Sequence, residues 1–222
     1  MASMRLVNVI SGVVEEFSLD NEPPYIAMSH LWRDGLFKAS VPFLQSPGGD
    51  IVSKLLNTRA WPVHHCWIDT LCILQDDEED KRLQIPLMGR IYEKAFAVVA
   101  LLAQEFHVTQ HSIDALTASL QPARQMWDDE TWAEEGALWR DGKGRNLIIR
   151  GMNLLRLFTH SDWVTRVWTL QEYVLGRRFI WLDLDSVAIE VQDWLFVVLP
   201  TICDVLTIFE CSKAESSYSR IF

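Results

Sequence analysis

The stretch YIAMSHLWRDG, from Tyr25 to Gly35, changes from apolar to polar halfway along its length. Its first part, Tyr25 to Ser29, is a short continuous apolar run, which is typical of a strand buried on both faces. The polar and aromatic residues His30, Trp32 and Asp34 then follow at the end of that strand. The stretch therefore predicts a buried strand with candidate binding residues at its carboxyl end.

Three more apolar runs are candidates for buried strands. CWIDTLCI, Cys66 to Ile73, carries one charge, Asp69, and a carboxylate inside an apolar run needs a partner. FAVVALLA, Phe96 to Ala103, carries no charge, and FIWL, Phe179 to Leu182, is a further short strand. Near the start, two β-rich runs separated by a Ser-Gly dipeptide predict an N-terminal hairpin: Arg5 to Ile10 and Val13 to Phe17.

Helical patterns separate the first three buried runs. Asp50 is expected to cap a short helix through Leu56. A second pattern places one apolar stripe at Leu83, Leu87 and Ile91. Pro86 interrupts this pattern, and it either kinks the helix or lies in its first turn. The alternation of strand and helix predicts a parallel sheet with helices on both faces.

The second half of the chain is less regular. Gln104 to His160 is interpreted as an insertion of mixed helix and loop, with a turn at Gly142 to Gly144 and a helix over Leu147 to Phe158. Trp163 to Leu175 is helical by pattern, closed by Gly176 as a C-terminal cap. A final helical region is expected over Val187 to Phe209, broken near Pro200. No stretch resembles a linker, so residues 1–222 are expected to form a single domain.

Composition excludes several classes of function. Thirty acidic and 20 basic side chains give a formal net charge of −10, which disfavours nucleic acid as a partner. The start lacks the pattern of a secretory signal, and the most apolar stretch, Trp194 to Cys203, is too short to span a bilayer. Four cysteines without a CxxC pair indicate reduced thiols, and we expect a cytoplasmic protein.

A metal site is not expected. His64, His65 and Cys66 are adjacent, and neighbouring residues on a strand point to opposite faces, so the three do not easily converge on one ion. Cys72 near the two histidines would be the nucleophile of a thiol enzyme. A buried cysteine without an identified third partner is more often inert.

Three segments resemble one family. They are YIAMSHLW (Tyr25 to Trp32), WIDTLCILQ with the downstream LMGRIYEKA (Trp67 to Gln75 and Leu87 to Ala95), and RVWTLQE (Arg166 to Glu172). In order, spacing and residue type they resemble the fungal heterokaryon incompatibility (HET) domain over Tyr25 to Leu182. Leu74 stands where many members carry Asn, and the segment 104–160 matches no motif of the family.

HET domains are similar in predicted layout to Toll/interleukin-1 receptor (TIR) domains. The resemblance therefore implies a TIR-like, flavodoxin-like sheet in which YIAMS, WIDTL and AVVALL are the first three strands. Trp168 and Glu172 form a WxxxE pattern like that of TIR enzymes that cleave NAD, in which the glutamate is catalytic. TIR sequences usually carry a serine at the end of the third strand, where this chain has Ala103 and Gln104.

The assignment to Glu172 also has a physical basis. Residues four apart share a helix face, so Trp168 and Glu172 can line one cleft at the carboxyl edge of the sheet. Cleavage of the nicotinamide–ribose bond builds positive charge on the ribose, which a carboxylate in a dry pocket stabilises without a further cofactor. The candidates for substrate binding are Ser29, His30, Trp32, Asp34 and Trp168, and those for supporting the site are Asp69, Arg166 and Gln171.

Each candidate also has a structural interpretation. Glu172 can pair with Arg166 or cap a loop, and Trp168 can pack in the core. Asp69 can accept hydrogen bonds from Arg166 or from a backbone turn, and His30 can serve as a hydrogen-bonding scaffold.

Two functions from different classes follow from these alternatives. The first is a TIR-like NAD glycohydrolase that acts in fungal non-self recognition and regulated cell death, is activated by self-assembly, and releases nicotinamide and ADP-ribose. The second is a non-catalytic module that signals through homotypic association or through other cell-death proteins, with the apolar C-terminal region as a possible surface.

Overall fold

The computed structural model describes residues 3–129, 142–166 and 169–201, which are of mixed α/β class and include one seven-stranded sheet. The strands are β1 (Ser3–Asn8), β2 (Val14–Ser18), β3 (Tyr25–His30), β4 (His65–Ile68), β5 (Ala97–Leu101), β6 (Phe179–Leu182) and β7 (Ala188–Ile189). The α-helices are α1 (Pro47–Arg59), α2 (Asp69–Cys72), α3 (Glu78–Gln84), α4 (Met88–Lys94), α5 (Gln110–Asp128), α6 (Gly142–Thr159) and α7 (Thr169–Leu175).

The four central strands are parallel, as the sequence predicts. The sheet order is β2-β1-β4-β3-β5-β6-β7, and β4, β3, β5 and β6 all run in one direction. Counted in chain order, these four strands lie in the order 2-1-3-4, which is also how flavodoxin-like sheets begin. Strands β3 and β5 are buried along their whole length, which explains their continuous apolar sequences. The TIR-like assignment stays a prediction.

The predicted N-terminal hairpin is confirmed. β1 and β2 pair in antiparallel register from Ser3 opposite Ser18 to Val7 opposite Val14. β1 also pairs in antiparallel register with β4, so the hairpin extends the main sheet. Leu6 on β1 is fully buried, which joins the hairpin to the core.

The second apolar run is only partly a strand, and the prediction of a strand as far as Ile73 is wrong. β4 ends at Ile68, and Asp69 begins the one-turn helix α2. The Asp69 carboxylate accepts a hydrogen bond from the Thr70 N–H at 2.7 Å, which stabilises the change of direction. Short buried strands and buried helical turns have the same apolar composition, so the sequence pattern does not separate them.

Asp50 is not the cap of the first helix. Ser46 occupies that position, and its Oγ accepts a hydrogen bond from the Gly49 N–H at 3.0 Å. Pro47 then provides the first helical residue, where its missing N–H carries no penalty. Asp50 lies in the first turn and pairs with Lys54 at 2.7 Å.

Pro86 divides the second helical pattern into two helices. α3 ends at Gln84, a 3-10 turn covers Ile85–Leu87, and α4 begins at Met88. The structure therefore resembles the kinked alternative more than the one in which Pro86 starts a single shorter helix. The missing N–H of proline accounts for the interruption.

The predicted helix over Leu147 to Phe158 is confirmed within α6, whereas the turn predicted at Gly142 to Gly144 is wrong because these residues are helical. Residues 161–166 form turns rather than the start of the predicted helix, and α7 covers Thr169–Leu175. α7 ends at Leu175, directly before Gly176, as predicted, although Gly176 does not have a left-handed φ.

The predicted C-terminal helical region begins differently from the expectation. Ala188–Ile189 form the short strand β7, paired antiparallel with β6. Residues 194–201 are helical and continue through Pro200, so the predicted break does not occur within this part. The remainder of the predicted region, 202–209, lies outside the described residues.

The chain divides into two compact units. One consists of residues 1–107 and 161–190 and contains the sheet; the other consists of 108–160 and 191–222. The second unit has its own apolar cluster, formed by Leu120, Ala123, Met126, Ile148, Leu155, Leu195, Val198 and Leu199. The single domain expected over residues 1–222 stays a prediction. None of the helices in the described ranges combines the length and the apolar character that crossing a membrane requires.

Candidate active site

The carboxyl ends of β3 and β4 bring the predicted polar residues together. β3 ends in Ser29 and His30, and Asp69 follows β4 directly. Because the two strands are parallel neighbours, these residues meet at one edge of the sheet. His30 Nε2 lies 3.2 Å from Asp69 Oδ1, and both Ser29 and His30 are buried.

Glu172 is held in the interior beside this edge. It lies on α7, and its exposed fraction is only 1%. The Ser29 hydroxyl donates a hydrogen bond to Oε2, and the Tyr92 hydroxyl donates one to Oε1 at 3.1 Å. Arg166 Nη2 lies 3.9 Å from Oε1, so the pairing with Arg166 that the sequence allows is present, but at a long distance. The carboxylate is thus oriented by two short-range donors and one cation.

Trp163 fixes the direction in which Ser29 donates. Its indole Nε1–H donates to Ser29 Oγ at 2.6 Å. A serine hydroxyl has a single proton, and because its oxygen already accepts from Trp163, that proton is directed to Glu172. Trp163 is itself buried and packs edge-on against Trp181.

The environment changes the acidity of Glu172. Burial raises the pKa of its carboxyl, whereas the hydrogen bond from Ser29, the charge of Arg166 and the hydrogen bond from Tyr92 partly oppose that rise. Burial also raises the pKa of the Tyr92 hydroxyl well above its ordinary value, and the charge of Glu172 adds to this. Tyr92 is therefore a neutral donor at physiological pH.

Asp69 is the centre of a second polar cluster. It accepts hydrogen bonds from Trp32 Nε1 and from the Thr70 N–H, both at 2.7 Å. The predicted backbone turn is therefore one of its partners. The predicted bond from Arg166 is not present: Arg166 Nη1 donates instead to the His30 carbonyl at 2.8 Å. Arg166 therefore contacts both the end of β3, through the His30 carbonyl, and the Glu172 carboxylate.

A cleft of about 700 Å³ opens beside Asp69. Three cationic side chains contribute to its wall: Arg33, Lys81 and Arg166. Its other lining residues are Leu31, Trp32, Asp69, Ile73, Gln75, Ile85 and Met88. Trp32 is 55% exposed and offers a flat aromatic face. Glu172 does not line this cleft. Arg166 does, and its guanidinium group also lies 3.9 Å from the Glu172 carboxylate.

The remaining predicted residues lie apart from the cleft or outside the described chain. Asp34 is in a 3-10 turn and is not among the residues that line the cleft. Gln171 packs against Gly89 of α4, where an added Cβ would lie 2.9 Å from its Nε2. Trp168 lies outside the described residues, so its predicted role beside Glu172 stays a prediction.

Sequence reasoning missed Tyr92 and Trp163. Tyr92 is part of the quoted LMGRIYEKA segment, and Trp163 stands shortly before RVWTLQE, but neither was assigned to the site. Their contacts with Glu172 and Ser29 join positions 80 and 134 residues apart. The available signal was a tyrosine and a tryptophan inside or beside the family motifs, since these residues usually form a hydrogen bond when they are buried.

The described cysteines do not form a thiol site. Cys66 and Cys72 are free and buried, and burial raises the pKa of the Cys72 thiol to about 12. A thiol with this pKa is protonated at neutral pH and is a poor nucleophile. Within residues 3–129, 142–166 and 169–201 there is no group of three or more His, Cys, Asp or Glu side chains placed to hold a metal ion.

Fold and site together define a class: α/β proteins built on a sheet with parallel central strands, with buried polar residues gathered at the carboxyl ends of those strands. The sequence model of the heterokaryon incompatibility protein (HET) family matches residues 25–172, from the start of β3 to Glu172. The chain belongs to the HET family.

One similar protein is heterokaryon incompatibility protein 6, OR allele, of Neurospora crassa. The two sequences are 26% identical over an alignment of 187 residues, and the match covers 69% of this chain and 28% of the relative. The match thus spans little more than a quarter of the relative's length. No solved structure matches this chain.

Proposed function

We propose that this protein is a HET-domain effector of fungal non-self recognition and regulated cell death that hydrolyses NAD to nicotinamide and ADP-ribose, with Glu172 as the catalytic residue. Membership of the HET family and the similarity to a heterokaryon incompatibility protein support the biological part of the proposal. The chemical part rests on the site at the carboxyl edge of the sheet.

The observation that carries the proposal is the buried carboxyl of Glu172, held by Ser29 and Tyr92 beside the ends of parallel strands. Ligands of such sheets bind at this edge. A carboxylate fixed in a poorly hydrated site interacts strongly with a charge that develops next to it. Residues that already satisfy and orient the carboxylate remove the need for reorganisation during the reaction.

The reaction requires little beyond that carboxylate. The bond between the ribose C1′ and the nicotinamide nitrogen breaks, and its electron pair goes to the pyridinium ring, which leaves as neutral nicotinamide. The ribose becomes cationic and is stabilised by Glu172. Water then bonds to C1′ and releases one proton, which gives ADP-ribose. The hydrogen bonds from Ser29 and Tyr92 fix the orientation of the carboxylate before the ligand arrives.

The test is nicotinamide release from NAD by the purified chain, measured with and without a crowding agent that promotes self-assembly. Glu172→Gln keeps the size of the side chain and removes the negative charge, and we expect a loss of at least about 100-fold in rate. Glu93→Gln, at an exposed position of α4, is the matched control and should retain full activity.

Equal nicotinamide release by the wild type and Glu172→Gln would remove Glu172 from the mechanism. Expression in fungal cells then separates the two classes of function. A Glu172→Gln protein that still folds, assembles and kills cells would favour the non-catalytic module, whereas loss of killing with folding and assembly intact would favour the enzyme.

A further inference from the structure

We infer that the 700 Å³ cleft binds the diphosphate half of the dinucleotide, and that Arg166 moves from Glu172 to the diphosphate when the ligand binds. The identity of the ligand rests on the proposed function. The binding residues and the role of Arg166 rest on the geometry of the cleft.

The charge of the cleft is opposite in sign to that of the chain. Arg33, Lys81 and Arg166 line it, against one lining acid, Asp69, while the whole chain carries a formal charge of −10. Asp69 is already engaged by Trp32 and by the Thr70 N–H. A locally cationic wall in an acidic protein favours an anionic ligand. A guanidinium group can also donate two parallel hydrogen bonds to phosphate oxygens.

Two of the cations can turn to a ligand at little cost. Arg33 pairs with Asp162 and Lys81 pairs with Glu78, and Asp162 and Glu78 have side chains that are 68% and 88% exposed. Exposed ion pairs of this kind contribute little to stability, so a diphosphate can replace them.

The shape and lining of the cleft suit a nucleotide. Its volume lies within the range of small-molecule sites. Trp32 presents a half-exposed indole face, and apolar side chains such as Ile85 and Met88 line the same cleft. An adenine ring can stack on the indole while the cationic residues hold the phosphates.

Arg166 couples this cleft to Glu172. It lines the cleft, donates to the His30 carbonyl at 2.8 Å, and lies 3.9 Å from Glu172, beyond hydrogen-bond distance. NAD carries a diphosphate and a positively charged nicotinamide ring. The diphosphate can therefore draw the guanidinium away while the nicotinamide ring supplies a replacement positive charge beside Glu172. ADP supplies the diphosphate but no replacement charge.

Isothermal titration of the full chain with ADP tests this exchange. Arg166→Gln should weaken ADP binding about tenfold or more, and the double variant Arg33→Gln/Lys81→Gln should weaken it by a similar factor. Glu172→Gln should strengthen ADP binding severalfold, because Arg166 no longer leaves a carboxylate behind. That gain should disappear when Arg166→Gln is also present. Arg90→Gln, a surface cation of α4 paired with Asp20, is the control and should bind ADP like the wild type.

The inference is overturned if ADP does not bind, or if neither Arg166→Gln nor the double cation variant weakens its binding in folded protein. It is also overturned if Glu172→Gln leaves ADP affinity unchanged or lowers it. The proposed function has a separate readout: ADP binding with the expected variant pattern but without NAD cleavage refutes the hydrolase and retains the diphosphate site. NAD cleavage together with an ADP affinity that these cation variants do not change retains the hydrolase and refutes the diphosphate site.

Discussion

At the scale of single residues, the burial of Glu172 connects its chemistry to folding stability. Burial raises the pKa of this carboxyl, so the folded protein binds its proton more tightly than the unfolded chain does. Stability from this group is therefore fully present below the ordinary glutamate pKa and is lost as the pH rises through the raised folded value. Catalysis by the ionised carboxylate therefore occurs at pH values above the raised pKa, where ionisation of the buried Glu172 destabilises the folded protein.

Glu172→Gln should remove this pH dependence. Relative to the wild type, the variant should gain stability as the pH rises above the ordinary glutamate pKa, by at most about 1.4 kcal/mol per pH unit, until the raised pKa is passed. Urea unfolding at a series of pH values measures the difference in the free energy of unfolding between the two proteins. A constant difference at every pH would contradict the raised pKa. The exposed control Glu93→Gln should follow the wild type throughout.

The same residues show how far the sequence determines a site. Ser29, His30 and Asp69 could be brought together from sequence, because parallel strands end at a common edge. The donors to Glu172 and Ser29, Tyr92 and Trp163, could not. Those contacts depend on how α4 and the turns before α7 pack on the sheet, and no periodicity within one segment encodes such packing.

At the scale of elements, close packing determines where glycine is required. At Gly176 after α7, an added Cβ would lie 2.7 Å from Val98 Cγ2 on β5 and 3.2 Å from the Glu172 carbonyl. At Gly89 in α4, it would lie 2.9 Å from the terminal amide of Gln171 and 3.6 Å, an ordinary contact distance, from Leu175 Cδ1. Valine in a strand is stiff, whereas the glutamine amide can rotate away.

Gly176→Ala should therefore destabilise the protein by about 1–3 kcal/mol through overpacking. Gly89→Ala should be close to neutral, because moving Gln171 is offset by the better helix propensity of alanine, worth up to about 1 kcal/mol. Thermal and urea unfolding of both variants beside the wild type measure the two effects. Equal destabilisation by the two substitutions would show that contact with β5 is not what requires glycine after α7.

Element boundaries were less predictable than element types. β3, β5 and β6 were identified from their apolar runs, since a strand buried on both faces has few alternatives. The predicted end of β4 and the predicted start of α1 are wrong because side-chain hydrogen bonds of Asp69 and Ser46 determine where these elements end and begin. Such bonds compete locally with the regular pattern and are visible only in the folded chain.

At the scale of the whole molecule, the sheet extends beyond the segment that the family shares. The family match begins at residue 25, yet β1 lies inside the sheet between β2 and β4. Arg5 of β1 donates to the Cys72 carbonyl at 2.7 Å and pairs with Asp80, which joins the hairpin to the elements after β4. Because β4 positions Asp69, the hairpin supports one side of the candidate site from outside the shared segment.

Leu6→Ala tests whether the hairpin is a structural part of this unit. Leu6 is fully buried, so its truncation should cost about 2–5 kcal/mol and lower the urea midpoint without changing the slope of the transition. Val13→Ala, at a position of the same hairpin that is 55% exposed, should change stability by less than about 0.5 kcal/mol. If both variants unfold at the wild-type midpoint, the hairpin contributes no stability to the sheet, and other elements must hold β4 and Asp69 in place.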